Sequence, residues 1–144
     1  MGMFVHILSS SGFMDLELLG TSAVKNLIAK TDRLKAFISE GDKEPFFDGA
    51  IYVYSSVKKN NESYDGRIIV QVKAIKAKNF QLNRAKYSIS REMMDAYLKE
   101  GGIAFFLVLI TSNGEKNKVF YNNLLPFKVT RYKSSMRKNS TKIQ

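Results

Sequence analysis

Residues 103–110 read Ile103-Ala104-Phe105-Phe106-Leu107-Val108-Leu109-Ile110, eight apolar residues with no charge and no alternation. A membrane-crossing helix needs about 20 such residues, so this run is too short to span a bilayer. A strand with one face in water alternates apolar and polar side chains, whereas a strand covered on both faces does not. The run therefore predicts a strand buried on both faces, with further layers above and below it. Gly101-Gly102 before it and Asn113-Gly114 after it read as a helix stop and a turn.

Working outward, Ser90 can cap a helix running through Lys99, with Met93, Met94, Tyr97 and Leu98 on one face. That Met/Tyr stripe reads as core or interface rather than a ligand box. Tyr87–Ile89 and Lys118–Tyr121 fit short strands. Further upstream, Phe47–Tyr54 and Arg67–Ile75 are strand candidates rich in aromatic and β-branched residues, joined by the polar hairpin loop 55–66. Leu34–Ile38 fits either a short strand or a second helix, the segment 32–45 being ended by Gly41 and Pro45. Asp15 can cap a helix to about Lys30, with Leu16, Leu19, Ala23 and Leu27 at helical spacing. Helix, strands, helix and strand in this order predict an α/β (α+β) layered domain. The tail from Lys128 carries no evident helix stop or cap. It reads as a basic segment, the start of a linker or next domain of a longer protein, with Lys142-Ile143-Gln144 resembling the beginning of a strand.

The 144 residues include 23 Lys+Arg, 13 Asp+Glu, one His, no Cys and no Trp, for a net charge of +10. The absent cysteines exclude a disulfide framework, a thiol nucleophile and cysteine-held zinc or iron–sulfur clusters. One histidine excludes a two-His metal site within the chain, and His6 lies upstream of every predicted element. No secretory leader is visible, and a cytoplasmic protein is expected. The charge is uneven. Residues 1–56 hold 5 basic and 7 acidic groups, residues 57–100 hold 10 and 5, and residues 113–144 hold 8 and 1. This division predicts a basic docking surface for a polyanion around a small acidic pocket.

Four residues form a chemical constellation: Glu17, Asp48, Gln71 and Lys73. Gln71 and Lys73 share one face of their strand because side chains alternate with period 2. If Tyr54 pairs with Arg67, Asp48 lies opposite Lys73, and all three polar side chains share a face at one end of the hairpin; a one-residue slip would separate them. A carboxylate and an amide oxygen can hold a hard divalent cation. A neighbouring lysine can stabilise charge on a phosphate undergoing hydrolysis. Each residue also has a plainer role open to it. Asp48-Gly49 is ordinary turn chemistry, Gln71 and Lys73 suit the exposed face of an amphipathic strand, and Glu17 suits a helix flank.

The pattern of Glu17 on a helix, Phe47-Asp48-Gly49 opening a strand, and Ile69-Val70-Gln71-Val72-Lys73 resembles the PD-(D/E)XK nuclease superfamily. Within it, the chain looks closest to Mrr-like restriction endonucleases and to nuclease domains of bacterial antiphage effectors. The resemblance spans roughly Asp15 to Pro126 in element order. It implies a restriction-endonuclease-like core over residues 1–127, a central mixed sheet flanked by helices. It further implies Mg²⁺ (or Mn²⁺) as cofactor, with Asp48, Gln71 and Glu17 as metal residues and Lys73 as the catalytic lysine. The implied activity is metal-dependent DNA endonuclease, double-stranded DNA being favoured, in a homodimer or higher oligomer. A sensor domain beyond the C-terminus is implied for a defence effector. The family's proline before the aspartate is replaced by Phe47, and Gln71 stands where an acidic residue is usual.

For backbone contact, Lys76, Lys78, Arg84 and Lys86 follow Lys73 directly, and Lys58 and Lys59 sit in the hairpin loop. Such side chains suit phosphate oxygens, which position nucleic acid without reading its sequence. Two rival expectations remain: a nucleic-acid-binding module with a decayed site, and an interaction domain with no enzymatic role.

Overall fold

The structure is a computed structural model that describes residues 14–39 and 46–136, together with the backbone of 140–143. His6, Gly41, Pro45 and Gln144 lie outside the described residues.

The expected α/β architecture is observed. Helix α1 (Leu16–Ala29) leads into strand β1 (Leu34–Ile38), strand β2 (Gly49–Tyr54) and the long strand β3 (Tyr64–Lys76). Strand β4 (Tyr87–Ser90), helix α2 (Arg91–Lys99), strand β5 (Ile103–Ile110) and strand β6 (Asn117–Leu124) follow. Helix α3 (Pro126–Ser134) and strand β7 (Ser140–Ile143) complete the described chain. Five strands form one mixed sheet in the order β1-β2-β3-β5-β6, and β4 pairs separately with β7. Among the described strands of the large sheet, β3 and β5 are parallel neighbours and the remaining pairs are antiparallel. Leu34–Ile38 is thus a strand, not a second helix.

Every residue of β5 is buried, as the unbroken apolar run requires. Its side chains divide by alternation. Ala104, Phe106, Val108 and Ile110 join Val70, Val72, Ala23, Val24 and Ile28 beneath α1. Phe105 and Leu107 join Tyr97, Met94 and Val129 beneath α2 and α3. Fully burying a side chain of this size is worth about 1.5–3 kcal/mol, so both layers draw on this one strand.

The α1 side chains facing the sheet are rotated from the expected stripe. Gly20, Thr21, Ala23, Val24 and Ile28 are buried, while Leu27 is 47% exposed. Gly20 explains the rotation, because a Cβ there would stand 2.7 Å from the Cβ of Ala74. The helix approaches β3 through its glycine, turning Leu27 outward. Asp15 caps this helix by accepting from the Leu18 N–H at 3.0 Å, and Ser90 caps α2 through the Met93 N–H at 3.2 Å.

The boundary expected at 127/128 falls within α3. Val129 is fully buried, Tyr132 and Met136 pack against the same cluster, and Lys133 pairs with Asp95 on α2. That ammonium's hydrogen bond holds the Asp95 carboxyl below its ordinary pKa. The spacing Val129, Tyr132, Met136 is helical, but Leu125 at the N-cap has no side-chain acceptor to announce the start. Pro126 in the first turn is the one local signal. Among the described residues no helix is long and apolar enough to cross a membrane.

Candidate active site and basic basin

The hairpin register differs from the expected one by two residues. Arg67 pairs with Tyr52 rather than Tyr54, and Gly49 pairs with Val70. The loop closes three residues early, with Tyr54 opposite Tyr64, and an irregularity between Val53 and Tyr54 takes up one of the three. Beneath it, Asn61–Ser63 form a short 3-10 turn closed by reciprocal bonds between Asn60 and Ser63. A shift of two preserves the alternation that a shift of one would invert. Asp48 therefore still shares a face with Gln71 and Lys73, now nearest Gln71 instead of Lys73.

Asp48 is the residue where β2 takes up its place between two neighbours. Its N–H donates to the Val70 carbonyl at 3.0 Å, and its own carbonyl accepts from the Ser39 N–H at 2.8 Å. Beyond the last paired residues, Asp48 Oδ2 accepts the Val72 N–H at 2.6 Å. This short charge-assisted bond orients the carboxylate. Among the described residues the carboxylate thus bonds across the sheet. Gly49 makes the arrangement possible, since any Cβ at its φ of +153° would run into the backbone of Phe37.

Gln71 is not on an exposed strand face. It is 3% exposed, and its Oε1 accepts a hydrogen bond from the hydroxyl of Tyr97 on α2. Burial is the main cause raising the Tyr97 pKa above its ordinary value, and the nearby charges of Tyr87 and Asp48 add to it. The hydroxyl thus stays protonated at neutral pH and remains a donor, which assigns the oxygen of the Gln71 amide to it. Tyr97 is the site residue that sequence reasoning assigned to the core; it is core, and it also holds Gln71. The signal was a polar tip within the helical stripe Met93, Met94, Tyr97, since a buried tyrosine hydroxyl needs a partner.

Lys73 is half-buried, two residues along β3 and about 7 Å from Gln71 on the same face. Among the described residues its ammonium makes no hydrogen bond or ion pair. Glu17 is exposed on α1, and α1 covers the opposite face, over Val72 and Ala74. The structure brings Asp48, Gln71 and Lys73 to one face and leaves Glu17 on the other side of the sheet. No group of three His, Cys, Asp or Glu side chains suited to a metal occurs among the described residues. The donors that Asp48 and Gln71 offer are hard oxygens on one face, which fits Mg²⁺ or Mn²⁺ completed by water and phosphate. They bring a single negative charge.

The basic residues separate into two places. Lys76, Lys78, Arg84 and Lys86 line one basin of about 640 Å³, together with Asn79 and the apolar Ile75, Leu82 and Leu109. Ile75 and Leu109 have the strand parity of Lys73 and Leu107, so the basin opens on the Gln71/Lys73 face. Lys58 and Lys59 lie in the loop before Tyr64, where the Lys59 ammonium reaches the Thr31 carbonyl at 3.4 Å. From Tyr64 to Lys73 is nine residues of strand, roughly 30 Å. These two lysines belong to the far end of the sheet.

No protein-family model, curated protein or solved structure matches the chain.

Proposed function

We propose that the chain is a PD-(D/E)XK-type, metal-dependent DNA endonuclease domain. The observation that carries this reading is the sharing of one sheet face by Asp48, Gln71 and Lys73, at the end where β3 runs on into a four-cation basin. The order helix, three antiparallel strands, helix, parallel strand also supports it. When bound, Mg²⁺ or Mn²⁺ would supply an activated water and neutralise charge on the scissile phosphate. Asp48, oriented by the Val72 N–H, and the Gln71 oxygen would hold it. Lys73 stabilises the negative charge that gathers on the non-bridging oxygens as water attacks phosphorus and the P–O bond to the leaving strand breaks. The basin cations hold neighbouring phosphates, fixing the strand against the site. On the same reading the domain is cytoplasmic, acts as a dimer or higher oligomer with one site per strand, and serves a restriction or antiphage system under a separate sensor.

A second reading has its own support. Gln71 is neutral, buried and tied to Tyr97, a combination that suits a binding module whose site has decayed. Plasmid nicking in Mg²⁺ separates the two. The endonuclease reading expects cleavage by the wild type, lost in Lys73→Ala and Asp48→Asn. Cleavage unchanged in either variant would sink the site assignment. Salt-sensitive DNA binding by a wild type that never cuts would favour the decayed module.

A further inference from the structure

The Asp48 face continues toward β1 as a set of aromatic rings interleaved with cations. Register places Lys35 beside Tyr52 and Tyr52 beside Arg67, with Phe37 beside Ala50. Neighbouring residues in register point to the same side, so Lys35, Phe37, Tyr52 and Arg67 share the side of Asp48. The rings touch one another in sequence. Phe37 and Tyr52 have centroids 4.7 Å apart, Tyr52 and Tyr64 5.7 Å, and Tyr54 and Tyr64 6.1 Å. The Lys35 ammonium lies 5.3 Å from the Phe37 ring centre. Phe37 is 50% exposed and Tyr64 47%.

No described helix covers these rings. Helix α1 packs on the other face, and α2 and α3 pack around Phe105, Leu107 and Leu124. A cleft of about 410 Å³, lined by Phe37, Tyr52, Arg67 and Asp48 among others, joins the rings to the carboxylate. The acids Asp48 and Glu100 lie in that cleft, so phosphates are drawn to the outer Lys35 and Arg67 positions.

An apolar protein partner would have to strip water from Lys35 and Arg67, which are mixed among the rings. A nucleic-acid single strand offers both matching chemistries at once, base faces for the rings and phosphates for the cations. In a duplex the base faces are already stacked on each other and closed to such rings. We infer that Phe37, Tyr52 and Tyr64 form a stacking platform for unpaired bases, with Lys35 and Arg67 holding the phosphates between them. Its consequence for cleavage rests on the endonuclease reading: the strand reaching Asp48 leaves the duplex unpaired there, as in an underwound segment of a supercoiled plasmid, while the basin beyond Lys73 holds backbone.

The test uses the full chain in EDTA, so that binding is read without cleavage. Labelled 12-nucleotide oligo(dT), oligo(U) and a duplex of equal length are titrated by anisotropy, with tyrosine fluorescence, free of any tryptophan background, reporting stacking. The wild type is expected to quench on both single strands and not on the duplex. Phe37→Ala and Tyr64→Ala, exposed positions whose folding is checked by Tm, should each weaken single-strand binding roughly tenfold or more. Duplex binding should stay within about twofold, and Phe37→Tyr and Tyr64→Phe should restore single-strand binding. Unchanged single-strand affinity, or an equal loss on the duplex, overturns the platform. The ratio of oligo(dT) to oligo(U) affinity tells DNA from RNA as the source of the strand. Ring-dependent binding by a wild type that cuts nothing in Mg²⁺ would uphold the platform and remove the nuclease. Mg²⁺-dependent cutting with ring variants that bind as wild type would do the reverse.

Discussion

The hydroxyl of Tyr97 donates to the Gln71 amide oxygen, and both side chains are buried where α2 meets β3. The bond joins two parts of the sequence 26 residues apart. It makes Gln71 both a candidate ligand and a structural partner, and the two roles respond differently to substitution.

Tyr97→Phe removes the donor and keeps the ring. The Gln71 oxygen is then left buried without that partner, a cost of about 1–3 kcal/mol, so Tm should fall by roughly 3–10 °C. The pH dependence has a definite sign. Burial raises the Tyr97 pKa, so the folded state holds this proton more tightly than the unfolded chain, where tyrosine titrates near 10. That stabilisation is complete below about pH 9 and is lost as pH rises through 10 and above. Melting curves between pH 8 and 11 should therefore fall less steeply for Tyr97→Phe than for the wild type. Parallel curves would contradict the buried, protonated hydroxyl.

Gln71→Glu adds the negative charge that the site lacks, on the sheet face that already carries the Asp48 carboxylate. Without metal the variant should be destabilised, because burial and a like charge both oppose the new carboxylate. Mg²⁺ should then raise its Tm in proportion to log concentration, beyond any rise seen in the wild type. Cleavage at limiting Mg²⁺ should increase about fivefold or more. A variant whose Tm ignores Mg²⁺ would show that no cation binds between Asp48 and position 71.

Asp48 has two duties, and two substitutions separate them. Asp48→Asn keeps an oxygen to accept the Val72 N–H and removes the charge, so it should fold close to the wild type and lose at least about 100-fold in Mg²⁺-dependent nicking. Asp48→Ala leaves the Val72 N–H without its side-chain acceptor and should cost a further 1–3 kcal/mol, roughly, in stability. Denaturant titration of both variants measures the difference. Equal loss of stability in both would mean that charge, rather than the hydrogen bond, holds the strand end.

Much of this site was legible from alternation alone. Gln71 and Lys73 share a face in any register, and the β5 run showed where the centre of the sheet must be. The pairing of Arg67 with Tyr52 was not recoverable from composition, because the Asn60–Ser63 turn shortens the loop by local hydrogen bonds and the irregularity at Val53/Tyr54 takes up one residue of that shortening. The shared face survived only because the slip was even. Helix α3 was missed for a different reason. Its basic residues hide one buried valine and a half-buried tyrosine, with half-buried Met136 just past its end, and its N-cap lacks the usual polar side chain. The Tyr97–Gln71 bond depends on how α2 sits over β3, a tertiary fact with no local signal beyond a hydroxyl in need of a partner.

Glu17 offers a negative test of the site's boundary. Its helix packs on the Val72/Ala74 face, opposite Gln71 and Lys73. Glu17→Ala should leave Mg²⁺-dependent nicking within about twofold of the wild type, and the midpoint for Mg²⁺ unchanged. A tenfold loss with unaltered Tm would bring Glu17 around the strand end into the site.

The two groups of lysines make opposite predictions for salt dependence. Lys78→Gln and Arg84→Gln each remove one cation from the basin that continues the Lys73 face. Each phosphate deprived of its cation should lower the slope of log affinity against log salt by roughly 0.9 on duplex DNA, or 0.7 on a single strand. Lys58→Gln and Lys59→Gln lie at the other end of β3, about 30 Å from Lys73. They should leave that slope unchanged within error. If the hairpin pair instead carries the salt dependence and the basin pair does not, the nucleic acid lies across the opposite end of the sheet, and the Asp48 face is not where it is cut.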